Sequence, residues 1–146
     1  MDPAFKNFLS DEDEKRILEA IATAEKNTSG EIRIHLHRQG KGDTYKNAVR
    51  TFKKLGMDQT ALRNGVLIYI DIDKKEFAII GDKGIHEKTG ENFWKTIARI
   101  LHEYFSQGKY TEGIIQAVLE TGEQLKKHFP YQADDKNELP DEISYE

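Results

Sequence analysis

Asn64-Gly-Val-Leu-Ile-Tyr-Ile-Asp-Ile72, followed by Asp73-Lys-Lys75 and Glu76-Phe-Ala-Ile-Ile80, decides the architecture of this chain. The first run is almost continuously apolar and rich in β-branched and aromatic side chains, the pattern of a strand covered on both faces. It is therefore expected at the centre of a sheet. The three polar residues after it make a short turn, so residues 76–80 return as an antiparallel hairpin partner.

Upstream, Glu31-Ile-Arg-Ile-His-Leu-His37 alternates strictly, with Ile32, Ile34 and Leu36 on one face and Arg33, His35 and His37 on the other. This predicts a strand with one polar face. Between it and the central run, after Gly40 and Gly42, lies an amphipathic helix with Tyr45, Ala48, Val49, Phe52 and Leu55 on its apolar side, stopped by Gly56. A strand-helix-strand crossover makes the first two strands parallel. Ser10 ahead of Asp11, Glu12 and Asp13 is a helix-start signal, because a Ser oxygen accepts from first-turn amides and carboxylates favour the positive end of the helix dipole. The helix it opens, over about residues 11–26, turns Ile17, Ala20, Ile21 and Ala24 inward.

Downstream, Gly81-Asp-Lys-Gly84 closes the hairpin strand. A further helix begins near Thr89 or Gly90 and carries Phe93, Trp94, Ile97, Leu101, Tyr104 and Phe105, whose spacing reads as core packing. Another is capped at Thr111-Glu112 and carries Ile114, Ile115, Val118, Leu119 and Leu125, with Gly122 as a local weakness and Phe129-Pro130 as its end. The class is α/β, with a mixed sheet and about four helices.

The 146 residues fit one domain, with residues 1–9 as an N-terminal extension, 10–130 as the folded unit and 131–146 as a flexible acidic tail. The tail reading rests on Asp134, Asp135, Glu138, Asp141, Glu142 and Glu146 among few large apolar groups, too little burial to offset ordering entropy. The 22 Lys and Arg stand against 26 Asp and Glu, so the net charge of −4 does not draw a polyphosphate backbone and nucleic acid is not an expected partner. Without cysteine there is no disulfide, thiolate nucleophile or Cys-based metal site, and any metal must use oxygen or imidazole ligands. No export signal opens the sequence, and no segment approaches the roughly 20 apolar residues of a membrane helix. The expectation is a cytoplasmic monomer without membrane insertion, with an unidentified protein as a further possible partner.

The predicted topology brings the start of the first strand, the start of the second and the end of the third to one sheet edge. That edge gathers Glu31, Arg63, Asn64, Asp82, Lys83, Glu87 and Glu91 near Gly30, Gly65, Gly81 and Gly84. Glu31, Asn64, Asp82, Glu87 and Glu91 offer hard oxygen donors of the kind calcium and magnesium take, whereas zinc and copper favour imidazole and thiolate. Arg63, Lys83, Gly81 and Gly84 are the candidate anion- or substrate-binding residues. The bland alternative is that Glu31 pairs with Arg63, Asn64 holds a turn open and Asp82 is a solvated loop residue. Asp43, Asp71 and Asp73 form a second-ranked acidic group at the opposite edge, where Asp71 and Asp73 look more like hairpin solubilisers. His35 and His37 share a strand face and can chelate zinc if a carboxylate or third imidazole joins them. Read alone, they fit a polar strand face better. Walker, Gly-x-Gly-x-x-Gly and Gly-x-Ser-x-Gly patterns are absent, so neither nucleotide binding nor a covalent serine mechanism is indicated.

Four segments, Ser29-Gly-Glu-Ile32, Arg63-Asn-Gly-Val-Leu67, Gly81-Asp-Lys-Gly-Ile85 and Phe105-Ser-Gln-Gly-Lys-Tyr-Thr-Glu-Gly113, together resemble the TPM domain family over about residues 10–129. That family includes thylakoid-lumen acid-phosphatase-like proteins, photosystem II repair proteins and an acetylcholine-receptor modulator, and the chain looks like its stand-alone bacterial form. The resemblance implies an α/β/α sandwich with a central mixed sheet of three to four strands, calcium or magnesium binding, and phosphatase activity in some relatives. One departure stands out. The family's Gly-Leu-Glu run reads Gly84-Ile-His86 here, and its later Asp corresponds to Glu91, which favours a cation-binding regulatory or interaction module over a metal-assisted acid phosphatase acting on phosphomonoesters.

Overall fold

The computed structural model describes residues 2–131 and 141–146. In chain order the elements are α1 (Pro3–Phe8), α2 (Asp11–Glu25), β1 (Glu31–His37), α3 (Thr44–Lys54), a 3-10 turn at Met57–Gln59, β2 (Gly65–Asp71), β3 (Glu76–Gly81), α4 (Lys83–Thr89), α5 (Asn92–Ser106), α6 (Tyr110–His128) and β4 (Ile143–Tyr145). The strands form one sheet in the order β3-β2-β1-β4. As its apolar run predicts, β2 is interior and every one of its residues is buried. It pairs parallel with β1 and antiparallel with β3, while β4 adds to the far side of β1 in parallel.

Alternation along the strands sorts side chains to two faces. Ile32, Ile34 and Leu36 join Val66, Ile68 and Ile70 in the larger core, completed by Ile17 and Ile21 of α2, Ile97 and Leu101 of α5, and Ile114 and Val118 of α6. On the other face Leu67, Tyr69, Ala78 and Ile80 pack beneath Ala48 and Phe52 of α3 and Met57. Helices on both faces of a mixed sheet make the α/β/α sandwich. The inward stripe of α2 is Ile17, Ala20, Ile21 and Ala24, and its start carries a full capping box between Ser10 and Asp13. Among the described residues no helix is long and apolar enough to cross a membrane.

The structure differs from the sequence reading in several places. The first nine residues contribute helix α1, whose Phe5 is buried in the larger core together with Leu9. Within the expected tail, residues 132–140 lie outside the described part, but Ile143–Tyr145 form β4, with Ile143 buried and the Tyr145 ring edge-on to Phe5 at 5.1 Å. The polar face of β1 is not solvated either. Glu31, Arg33 and His35 are 2%, 6% and 3% exposed, with His35 directly opposite Ser144 of β4 and Arg33 paired with Glu142 just before that strand. Tyr45, expected on the apolar side of α3, is exposed.

Candidate functional site

Strand register settles which residues share an edge. Glu31 opposes Gly65 and Val66 opposes Gly81, so Glu31, Asn64 and Asp82 lie at the same end of the sheet, as the topology predicts. All are buried. Their chemistry divides. Asp82 accepts from Arg63 Nε at 2.5 Å and Nη2 at 2.8 Å, and also from the Lys83 amide at 2.9 Å as the N-cap of α4. Arg63 holds this fork from a left-handed backbone, φ 52°, while its carbonyl accepts from the Gly84 amide at 2.9 Å. The carboxylate of Asp82 is thus committed to protein donors.

The glycines of this edge make room for protein rather than for a ligand. The Trp94 indole covers Gly81, and the carbonyls of Leu62 and Arg63 press against Gly84. Lys83 is exposed, as is Glu87 on α4, while Glu91 faces Lys95 at 3.9 Å. His86 rests against the Trp94 ring at 5.2 Å.

Glu31 and Asn64 stand buried at the same rim, and two carboxylates belong to this neighbourhood that sequence reasoning did not place there. Glu25, at the end of α2, accepts from the Ile32 amide at 2.8 Å and is hydrogen-bonded to Asp141. Burial, then the Asp141 carboxyl, then the charge of Glu31 push the Glu25 pKa up to about 9, so Glu25 carries a proton at neutral pH. Asn64 is 1% exposed; its Nδ2 donates to Ser29 Oγ at 3.4 Å, and its Oδ1 is buried with no hydrogen-bond partner. A buried carbonyl oxygen without a donor is the kind of ligand atom a hard cation takes.

The opposite end of the sheet is organised differently. Asp43 caps α3 through the Lys46 amide at 2.8 Å, Asp71 holds the hairpin turn through the amides of Asp73 and Lys74 at 3.1 and 3.0 Å, and Asp73 accepts from the Gln39 amide at 2.5 Å. These carboxylates build the local backbone. Next to them β4 delivers Glu146 to the two histidines of β1, and His35, His37 and Glu146 each offer a ligand atom within 4.8 Å of the others. His35 Nδ1 bonds Ser144 Oγ at 2.7 Å, and His37 Nδ1 bonds the Tyr69 hydroxyl. His35 Nε2 stands 3.4 Å from Glu146 Oε1, yet its alignment is not that of a hydrogen bond. Burial, more than any neighbour, lowers the His35 pKa to about 4 against the pull of Glu146, so the contact joins a neutral imidazole to a carboxylate. This cluster can hold a metal ion. The alternation of His35 and His37 was its only local signal, because the third member arrives from the far end of the chain.

The sequence profile of the TPM domain matches residues 3–124. No curated protein matches the chain. Among solved structures, the BA42 protein of the psychrophilic bacterium Bizionia argentinensis, determined by NMR, is 44% identical, with a TM-score of 0.91 over 95% of this chain and 96% of that one. The N-terminal domain of a P. gingivalis protein, also solved by NMR, is similar in fold at 18% identity, with a TM-score of 0.65 over 86% of this chain and 83% of that one. With the four-stranded mixed sheet and its flanking helices already in place, the profile match over most of the sequence leaves one assignment: the chain belongs to the TPM domain family.

Proposed function

We propose that this TPM domain binds calcium or magnesium at the rim where β1 begins, and acts as a non-catalytic regulatory or interaction module. The observation that carries the reading is the Asn64 Oδ1 atom, buried without a hydrogen-bond partner at the sheet end that also carries Glu31. A buried carbonyl oxygen left without a donor costs roughly 1–3 kcal/mol, a penalty that an inner-sphere cation removes. Glu31 and Asn64 supply the core of the ligand set, with Glu25 and Asp141 at its border. Cation binding there favours release of the Glu25 proton and offsets repulsion among the three acids. Calcium and magnesium suit an all-oxygen donor set.

Metal-assisted hydrolysis of phosphomonoesters has less support. Arg63, the cation suited to neutralise phosphoryl charge, is spent on Asp82, and His86 replaces the family's carboxylate. Calorimetric titration of the metal-stripped protein with calcium and with magnesium is the test. Saturable heat that disappears in Asn64→Ala and Glu31→Gln is expected. Equal heats in the wild type and both variants would remove the rim from consideration, and metal-dependent turnover of a phosphomonoester lost in the same variants would favour the hydrolytic reading.

A further inference from the structure

We infer that His35, His37 and Glu146 form a second metal site, of zinc class, that fastens the C-terminal strand β4 to the sheet. The inference stands apart from the oxygen-only rim: Glu31 and His37 are the two ends of β1, six residue steps and roughly 20 Å apart along the strand. The donor chemistry is also different. Two imidazoles and a carboxylate, leaving one position open, are ligands for zinc and neighbouring divalent transition metals rather than for calcium or magnesium.

The site is built beyond its ligands. Each histidine has its Nδ1 occupied, His35 by Ser144 Oγ at 2.7 Å and His37 by the Tyr69 hydroxyl. Ser144 in turn donates to the Ile34 carbonyl at 3.4 Å. Because Ser144 spends its own proton on Ile34, it accepts from His35 Nδ1–H, which leaves His35 Nε2 as a lone pair. The Tyr69 hydroxyl engages Nδ1 of His37, so that Nε2 is the ring nitrogen left to face a metal. Outer hydrogen bonds of this kind orient metal-binding histidines. The Tyr69 ring stacks on His35 at 5.4 Å and 18°, holding the imidazole plane. His35 is 3% exposed and its Nε2 has no hydrogen-bond partner, although the Glu146 carboxylate stands 3.4 Å away. A buried acceptor aimed at an anion is unfavourable for an empty protein and favourable around a cation.

Placement gives the site its role. The ligands lie toward the carboxyl ends of the parallel strands β1 and β4, the end of an open α/β sheet where ligands collect. β4 is a three-residue edge strand, anchored after Tyr145 by the Glu146 amide to the Leu36 carbonyl at 2.9 Å and by the Arg38 amide to the Glu146 carbonyl at 2.8 Å. A metal bridging Glu146 to His35 and His37 adds a side-chain link across the same pair of strands. Because the ligands converge only when β4 is docked, binding and docking stabilise each other.

The experiment uses the metal-stripped full chain. Zinc is added while binding is followed by calorimetry and histidine ring resonances by NMR, with cobalt as a spectroscopic substitute. The expected result is one zinc per chain, shifts confined to His35, His37 and Ser144 to Glu146, a tetrahedral cobalt spectrum, and slower amide exchange in β4. Glu146→Gln, an isosteric change at an exposed side chain, weakens binding about 10-fold or more and removes the exchange protection. His37→Gln does the same. Unchanged zinc affinity in both variants, shifts centred instead on His102 or His128, or no binding at millimolar zinc would overturn the proposal. Calcium leaves these resonances unmoved, so failure of the rim site and failure of this one give different outcomes.

Discussion

Arg63 grips both carboxylate oxygens of Asp82, at 2.5 and 2.8 Å, across the gap between the entry to β2 and the exit from β3. Two residues 19 positions apart are thereby locked at the rim where a free metal ligand was expected. The same carboxylate caps α4. Asp82 is therefore held by Arg63 and by the first turn of α4, and the cation site proposed for this rim rests on its neighbours.

Replacing Asp82 with Ala separates these roles. Loss of the N-cap alone costs about 0.5–2 kcal/mol, and release of the Arg63 fork adds to it. We expect a lower urea midpoint with calcium affinity unchanged. If the variant folds normally and no longer binds calcium, Asp82 belongs among the ligands.

The Glu25 proton predicts a pH dependence. Folding raises the carboxyl from an ordinary 4.5 to about 9, so the folded state holds a proton that the unfolded chain has released. The contribution to stability is full below pH 4.5 and is lost progressively as pH rises toward 9. Urea denaturation in the presence of chelator should show stability falling across that interval, more steeply in the wild type than in Glu25→Gln, whose amide is neutral throughout. Parallel profiles for the two proteins would show that Glu25 does not carry the linkage.

Gly122 marks a close crossing of α2 and α6. A Cβ there would sit 2.6 Å from the Ala24 Cβ and 2.8 Å from its Cα, so one helix must move. Helix propensity favours alanine by about 1 kcal/mol, whereas overpacking a dense contact costs about 1–3 kcal/mol. The clash wins. Gly122→Ala is expected to lower the melting temperature, and a higher one would mean that the crossing relaxes freely. What reads in sequence as a weak point in α6 is a point of helix contact.

The sheet was legible because its signals are local: the apolar run through Ile70, the alternation from Glu31 to His37 and the short turn at Asp73 each specify neighbours within a few residues. The common rim of Glu31, Asn64 and Asp82 followed from that topology. The partners of those residues did not. Whether Asp82 meets a cation or Arg63 depends on a left-handed backbone at Arg63, and no residue type announces that conformation there. The termini were misread for a related reason. Averaged over residues 131–146 the composition is acidic, which hides the pattern of Ile143 and Tyr145, and burial against Phe5 and the edge of β1 offsets their ordering cost. At the other end, Asp2 caps a helix with Pro3 in its first turn, and Phe5, Phe8 and Leu9 recur at helical spacing, a signal present but short. The histidine pair needed Glu146, and hence β4, before it became a cluster.

The central claim is that an oxygen-ligated cation sits where β1 begins, and amide NMR of the full chain during a calcium titration tests it most directly. Saturable shifts confined to Glu25, Ser29 to Ile32, and Asn64 with Gly65, reproduced by magnesium and lost in Asn64→Ala, are the predicted result. Shifts spread evenly over the acidic surface, or no shift at these residues at millimolar calcium, would contradict it.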